Sequence, residues 1–141
     1  MLVATETITL FNRGKKDTWH GTVIKGVTWL GGKPSALQGT AMQEEHSITV
    51  RIPEEADTGS KAYATPGEWR RMLDEEAFAT DYWTLQNGDI IIRGEVAEEL
   101  VEDGMPEVLA SGAPVITIVT WADNRHPTFS STLRHWKAVG R

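Results

Sequence analysis

Four histidines, His20, His46, His126 and His135, are the side chains of this sequence best suited to metal or proton chemistry, with Glu44, Glu45 and Asp123 available as oxygen ligands. A metal site needs two ligands presented together by one element, as His-x-His, His-x3-His or His-Glu-x-x-His spacing does. None of the four histidines stands at such a spacing from another. They read as scattered surface or half-buried residues. No serine sits in a Gly-x-Ser-x-Gly elbow. The stretch GGKPS (Gly31–Ser35) resembles part of a phosphate loop, but its first glycine is missing and Pro34 replaces the Ser or Thr that must follow the lysine. It is a loop with a turn in it. Cysteine is absent, which removes disulfides and thiolate chemistry. No catalytic, metal-binding or cofactor-binding residue is therefore expected, and no cofactor.

The elements that would carry any site are mostly strands. Thr7–Asn12 alternates Ile8 and Leu10 with Thr7 and Thr9, the period of a half-buried strand. Arg13–Asp17 is a polar turn, and Thr18–Leu30 returns as a β-rich run with Gly21 and Gly26 at bulges or bends, so the two read as a hairpin. His46–Pro53 places Ile48, Val50 and Ile52 on one face. Thr65–Leu73 carries a helix signature: Thr65 at the N-cap, Pro66 at the first helical position and Glu68 completing a capping box. Tyr82–Gly94 reads as a hairpin about an Asn87-Gly88 turn. Glu95–Asp103 suits a second short helix, with Val96, Ala97, Leu100 and Val101 on one side and the acids on the other. Pro114–Trp121 is apolar on both faces, as a central strand is, and Thr132–Gly140 is a terminal strand. The sum predicts a mainly β protein: a single small antiparallel β-barrel or sandwich over residues 1–141, with one or two short helices.

The chain has 141 residues, a formal charge of −6 and no apolar run near the roughly 20 residues that span a bilayer. The opening MLVATETITLF lacks the basic start and apolar stretch of a signal peptide. A net acidic charge argues against phosphate backbone as the main ligand. That charge is segregated. Gly94–Asn124 has no Lys or Arg and includes Glu95, Glu98, Glu99, Glu102, Asp103, Glu107 and Asp123; Arg125–Arg141 has no acid and includes Arg125, Arg134, Lys137 and Arg141. A solvated acidic helix beside a basic tail would explain this. So would a two-faced subunit whose acidic side meets a neighbour's basic side, an arrangement that builds rings. Six tryptophans stand out for this length. Five read as core or helix anchors, whereas Trp136, among basic residues, is a candidate for an interface. The candidate interface set is thus Arg125, Arg134, Trp136, Lys137 and Arg141 on the basic side, and Glu95, Glu98, Glu99 and Glu102 on the acidic side. The loops Gly31–Glu45 and Glu54–Lys61 are further binding candidates.

The blocks ITLFNR…TWHGTVIKGVTW, ITVRIP, GEWRRM, WTLQNGDIIIRGE and ITIVTWADNR…LRHWKAVGR resemble, in the same order and over nearly the whole chain, those of a family of small proteins from tailed bacteriophages and their prophages. That family is associated with virion structural modules. It is similar in plan to head-closure and head–tail joining proteins, small β-barrels that form a ring beneath the portal and adaptor and receive the tail. The resemblance implies a virion protein assembled in the host cytoplasm, with portal, adaptor and tail proteins as partners. It implies a homo-oligomeric ring in the particle, compatible with a monomer in solution, with passive contact at most with passing DNA and no membrane. No catalytic residue belongs to the pattern. The matching positions Trp29, Gly88, Asp89, Gly94, Asp123, Asn124, Arg125, His135 and Trp136 read as scaffold. The match is loosest at HPTFSST and VAEELVEDGMPEVLASG. Capsid-decorating and tail-completion proteins use similar domains. A phage-borne acidic inhibitor that mimics nucleic acid through Glu95–Glu107 is the alternative from another class, and a small enzyme the third.

Overall fold

Alternating apolar and polar residues build the strands of this protein, and unequal strand lengths decide where its sheet closes and where it opens. The structure, a computed structural model, describes residues 5–15, 18–31, 47–74, 81–96, 100–101, 114–128 and 133–141. Strand β1 (Glu6–Arg13) antiparallels the long β2 (Trp19–Gly31), the hairpin that the sequence predicts. Then follow β3 (Ile48–Pro53), β4 (Ala62–Tyr63), helix α1 (Pro66–Asp74), β5 (Tyr82–Trp83), β6 (Ile90–Arg93), β7 (Leu100–Val101), β8 (Val115–Asn124) and β9 (His135–Gly140). Six of them form an antiparallel sheet in the order β1-β6-β8-β9-β3-β2, and β2 pairs back with β1 to close a barrel. The fold is mainly β, with α1 the one helix among the described residues.

The interior is solid. About eight strands make a barrel just wide enough for side chains to fill, and this one has six. Ile8, Leu10, Ile24, Ile91 and Ile116 from the walls are at most 1% exposed. At one end Trp83 meets Trp136 edge-on, ring centroids 4.7 Å apart, and stoppers the barrel. A second apolar cluster lies on the outside of the wall. In a strand successive side chains point to opposite faces, so Phe11, Ile90 and Ile92 point away from the interior, yet Phe11 and Ile92 are fully buried. The chain leaving β6 covers them. Gly94 N donates to Thr7 O, Thr9 Oγ1 donates to Gly94 O, and Val96 N donates to Thr9 Oγ1, which carries the segment across β1 to β7 on the far edge of β2.

Two predicted elements change. Tyr82–Gly94 is not a hairpin: β5 pairs in parallel with β4, whereas β6 pairs with β1 and β8. The Asn87-Gly88 turn is real, with Asp89 N donating to Gln86 O at 3.2 Å and Gly88 at φ 94°. However, Gly88 N and Asp89 O both bond to Ile118 of β8, so the outgoing strand is captured by the barrel wall. The helix expected over Glu95–Asp103 is not found at its described residues, Glu95, Val96, Leu100 and Val101; its other residues lie outside the described ones. Its apolar residues are at helical spacing, but Leu100–Val101 is the strand β7, and Val96 packs on the outer cluster. Gly26 does form the expected bulge, between Val27 and Lys25 at φ 87°, while Gly21 is regularly paired with Phe11. The predicted loop Gly31–Glu45 lies, from residue 32 on, outside the described residues.

Candidate functional site at the barrel seam

Strand β6 has four residues, and its neighbours β1 and β8 have eight and ten. At the end where β1 finishes in Arg13 and β8 in Asn124, no strand among the described residues stands between them. Side chains brace this seam instead. Asp89, immediately before β6, is 1% exposed. Its Oδ2 accepts from Asn12 Nδ2 at 2.8 Å and from Gln86 Nε2 at 3.0 Å, and its Oδ1 accepts from Arg13 N at 3.1 Å. Asn12 Nδ2 also donates to Thr84 O at 2.7 Å, and Asn12 Oδ1 accepts from Thr84 N at 3.1 Å. Burial pushes the Asp89 carboxyl up to about 6, against the donors from Gln86, Asn12 and Arg13 that hold it down. Every partner is a donor, so the carboxylate is anchored from three directions. It braces β1 to the turn before β6, and, almost fully buried, it also lines the groove described next.

Helix α1 forms the outer wall of the seam. Thr65 Oγ1 accepts from Glu68 N at 3.2 Å and Glu68 Oε1 accepts from Thr65 N at 2.9 Å, the predicted capping box. This fixes the helix start so that Trp69, fully buried, packs against His20 with centroids 5.5 Å apart and donates from Nε1 to Arg13 O at 3.1 Å. Between α1, the end of β1, the Gln86–Gly88 turn and Trp121 of β8 lies an open groove of about 820 Å³. Arg13, Lys15 and Arg70 line it, with Asp74 as the acid that reaches solvent; Lys15 Nζ stands 3.9 Å from Asp74. Such a groove can bind an anionic chain, but it holds no reactive pair.

The sequence candidates are spread over other surfaces. Arg125 lies against aromatic rings at the stoppered end, with its guanidinium 4.3 Å from the Trp136 ring centre and 5.0 Å from that of Tyr63. Two bonds of 2.7 Å tie it to the Asp123 carboxylate, whose pKa they lower. Burial, then the charge of Asp123, pushes the Tyr63 phenol up to about 12. Trp136 is 5% exposed and belongs to the core, because β9 is paired on both sides and turns this residue inward. Its ring is not open to solvent in this structure. Arg134 donates to Pro127 O at 3.1 Å and stands 3.8 Å from Glu54. Lys137 faces outward, directly opposite Arg51 of β3, and Arg141 is exposed with its backbone paired to Thr117. Glu95 is exposed on the crossover above β1, while Glu98, Glu99 and Glu102 lie outside the described residues.

The described histidines do not converge, and His46 lies outside the described residues. The His20 pKa is lowered by burial and then by the charge of Lys61, His126 Nδ1 lies 2.8 Å from Thr128 Oγ1, and His135 Nδ1 lies 2.9 Å from Leu133 O. Among the described residues no three His, Asp or Glu side chains group as a metal site. Sequence reasoning missed the seam. One signal was present: Asn12 continues the inward series Ile8, Leu10, and a polar residue on an apolar face needs a buried partner.

Residues 3–141 match DUF6751, a family of unknown function. The chain belongs to that family. No curated protein and no solved structure matches it significantly. The match covers the barrel, α1 and the seam together, so the whole architecture described above falls within the family's span.

Proposed function

We propose that this protein is a virion structural protein of a tailed bacteriophage, a head–tail joining subunit that assembles as a ring in the neck between portal or adaptor and tail. One observation supports the reading: exposed Glu95 and the basic pair Arg51 and Lys137 lie on opposite sides of the barrel. In the closed order β1-β6-β8-β9-β3-β2, β1 and β9 lie three strands apart in either direction. The crossover with Glu95 runs over β1, and β9 presents Lys137 beside Arg51. Like charges placed directly across a strand pair repel, and an acidic neighbour relieves that repulsion. A subunit acidic on one side and basic on the other meets its copies heterologously, and contacts of that kind close into rings where the rotation between copies closes. The resemblance of the sequence blocks to the phage family supports the same reading.

Zero-length carbodiimide cross-linking of purified particles tests it. The expected product is an amide between the Lys137 amine of one copy and the Glu95 carboxylate of the next, assigned by mass spectrometry of mixed light and heavy chains. Particles that lack the chain, or cross-links confined to single chains, would overturn the proposal.

A further inference from the structure

The seam leaves a length of strand edge without a partner, and the other long edges show how unusual that is. Past β6, the end of β1 gives its Arg13 N–H to Asp89 and its Arg13 C=O to the Trp69 indole. On the side of β2 away from β1, β7 takes Trp19 and His20, Lys61 Nζ donates to Gly21 O at 2.6 Å, Asp57 exchanges two backbone bonds with Lys25, and β3 takes Thr28–Gly31. Strand β8 differs. One side pairs with β9 as far as Asn124. On the other side pairing with β6 stops at Thr117, and Ile118 closes with Gly88 and Asp89. From Val119 to Asn124 the backbone groups on that side have no backbone partner among the described residues.

Proteins normally blunt a bare edge with charged residues, Pro, bulges or a covering element. Val119–Asn124 reads VTWADN, with no Lys or Pro; its blunting devices are Asp123 and the bulge at Ile118/Thr120. Val119, 45% exposed, and Thr120 both point outward across the bulge, and Trp121 packs on the core beyond it, which leaves the backbone from Trp121 on in regular strand form. The edge opens into the groove lined by Trp121 and the cations Arg13, Lys15 and Arg70.

We propose that the Val119–Asn124 edge of β8 docks an extended acidic segment of another protein, which pairs with β8 as an added strand in the groove between β8 and the end of β1. Three features select that occupant. Alternating backbone donors and acceptors are satisfied by an extended peptide and by no nucleic acid. Six residues of edge, at about 3.3 Å each, span about 20 Å, the length of an ordinary strand. The cations Arg13, Lys15 and Arg70 outnumber the exposed groove acid Asp74, and Asp123 on the edge itself is neutralised by its paired bonds to Arg125, so the balance favours a peptide with carboxylates. This inference rests on the reading that the protein acts by binding proteins, but not on the virion assignment.

A library of random 12-residue displayed peptides, selected against the full chain, tests it. Enriched peptides should be net acidic with alternating apolar residues. Synthesised, they should shift the amide resonances of Val119–Asn124 and slow their hydrogen exchange. N-methylation of alternate peptide residues should abolish binding, and the surface variants Arg70→Glu and Lys15→Glu should each weaken it at least tenfold with unchanged spectra elsewhere. Failure to enrich any peptide, enrichment of basic ones, binding indifferent to N-methylation, or shifts mapping to another surface would overturn the proposal. So would protection of all these amides in the free chain through pairing with a second copy. The particle cross-links proposed above fail or succeed separately, because they concern β9 and the crossover.

Discussion

Replacing Asp89 by Asn should flatten the pH dependence of stability between about pH 4 and 6. The carboxyl is pushed up to about 6 by burial from an ordinary 3.8. The native state therefore keeps a proton in that window that the unfolded chain has released. Stability contributed by this group is present below the ordinary value and is lost as pH rises toward the folded one. The gap, at 1.36 kcal/mol for each pH unit, amounts to about 3 kcal/mol. The variant removes the titration and keeps the shape. It also turns one acceptor oxygen into an NH2 group facing Arg13 N, or Asn12 and Gln86. That mismatch costs about 1–3 kcal/mol, so at pH 7 the two effects nearly cancel and the slope is the diagnostic quantity. Urea unfolding followed by tryptophan fluorescence at half-unit steps from pH 4 to 7.5 reads it. The carboxylates lowered by hydrogen bonds, Glu6, Glu68 and Asp123, are common to both proteins and subtract out. Wild type should lose about 3 kcal/mol relative to the variant as pH rises through the window. Parallel curves, or a wild type that gains relative stability as pH rises, would refute the reasoning that burial outweighs the three donors.

Phe11→Ala should destabilise the fold by about 3–5 kcal/mol in urea, because its ring is fully buried outside the barrel; a loss below about 1 kcal/mol would mean that the crossover does not cover it. Gly140→Ala should cost about 1–3 kcal/mol or more, since the added carbon collides with the Thr117 backbone, and a melting temperature equal to wild type would contradict that register. Arg125→Lys should lower stability by about 1–2 kcal/mol, because lysine cannot reproduce both the forked bond to Asp123 and the stack on Trp136. A neutral result would show that the aromatic contact carries no energy.

Local signals were legible and pairings were not. Ile8 and Leu10, or Val50 and Ile52, alternate cleanly because each strand has one face in the core. Thr65 and Glu68 cap α1 through bonds made within three residues, so their sequence spacing suffices. The Asn87-Gly88 turn was readable too, yet a turn does not say which strands it joins. The destination of β6 depends on Ile118, thirty residues from Gly88 and far outside any local window. Val96 and Leu100 sit at helical spacing, but the bonds of Thr9 and the edge of β2 draw that segment across the wall. The seam was invisible for the same reason. It follows from β6 being shorter than β1 and β8, a comparison that has meaning only once the register is known, and Asp89 finds Asn12 at a separation of 77 residues.

Quantitative mass spectrometry of purified phage particles, counting this chain against the portal protein, tests the proposed function most directly. A fixed ratio matching one ring per portal is expected. Hundreds of copies per particle would move the protein to the capsid shell or tail tube, and absence from the particle would contradict the structural assignment outright.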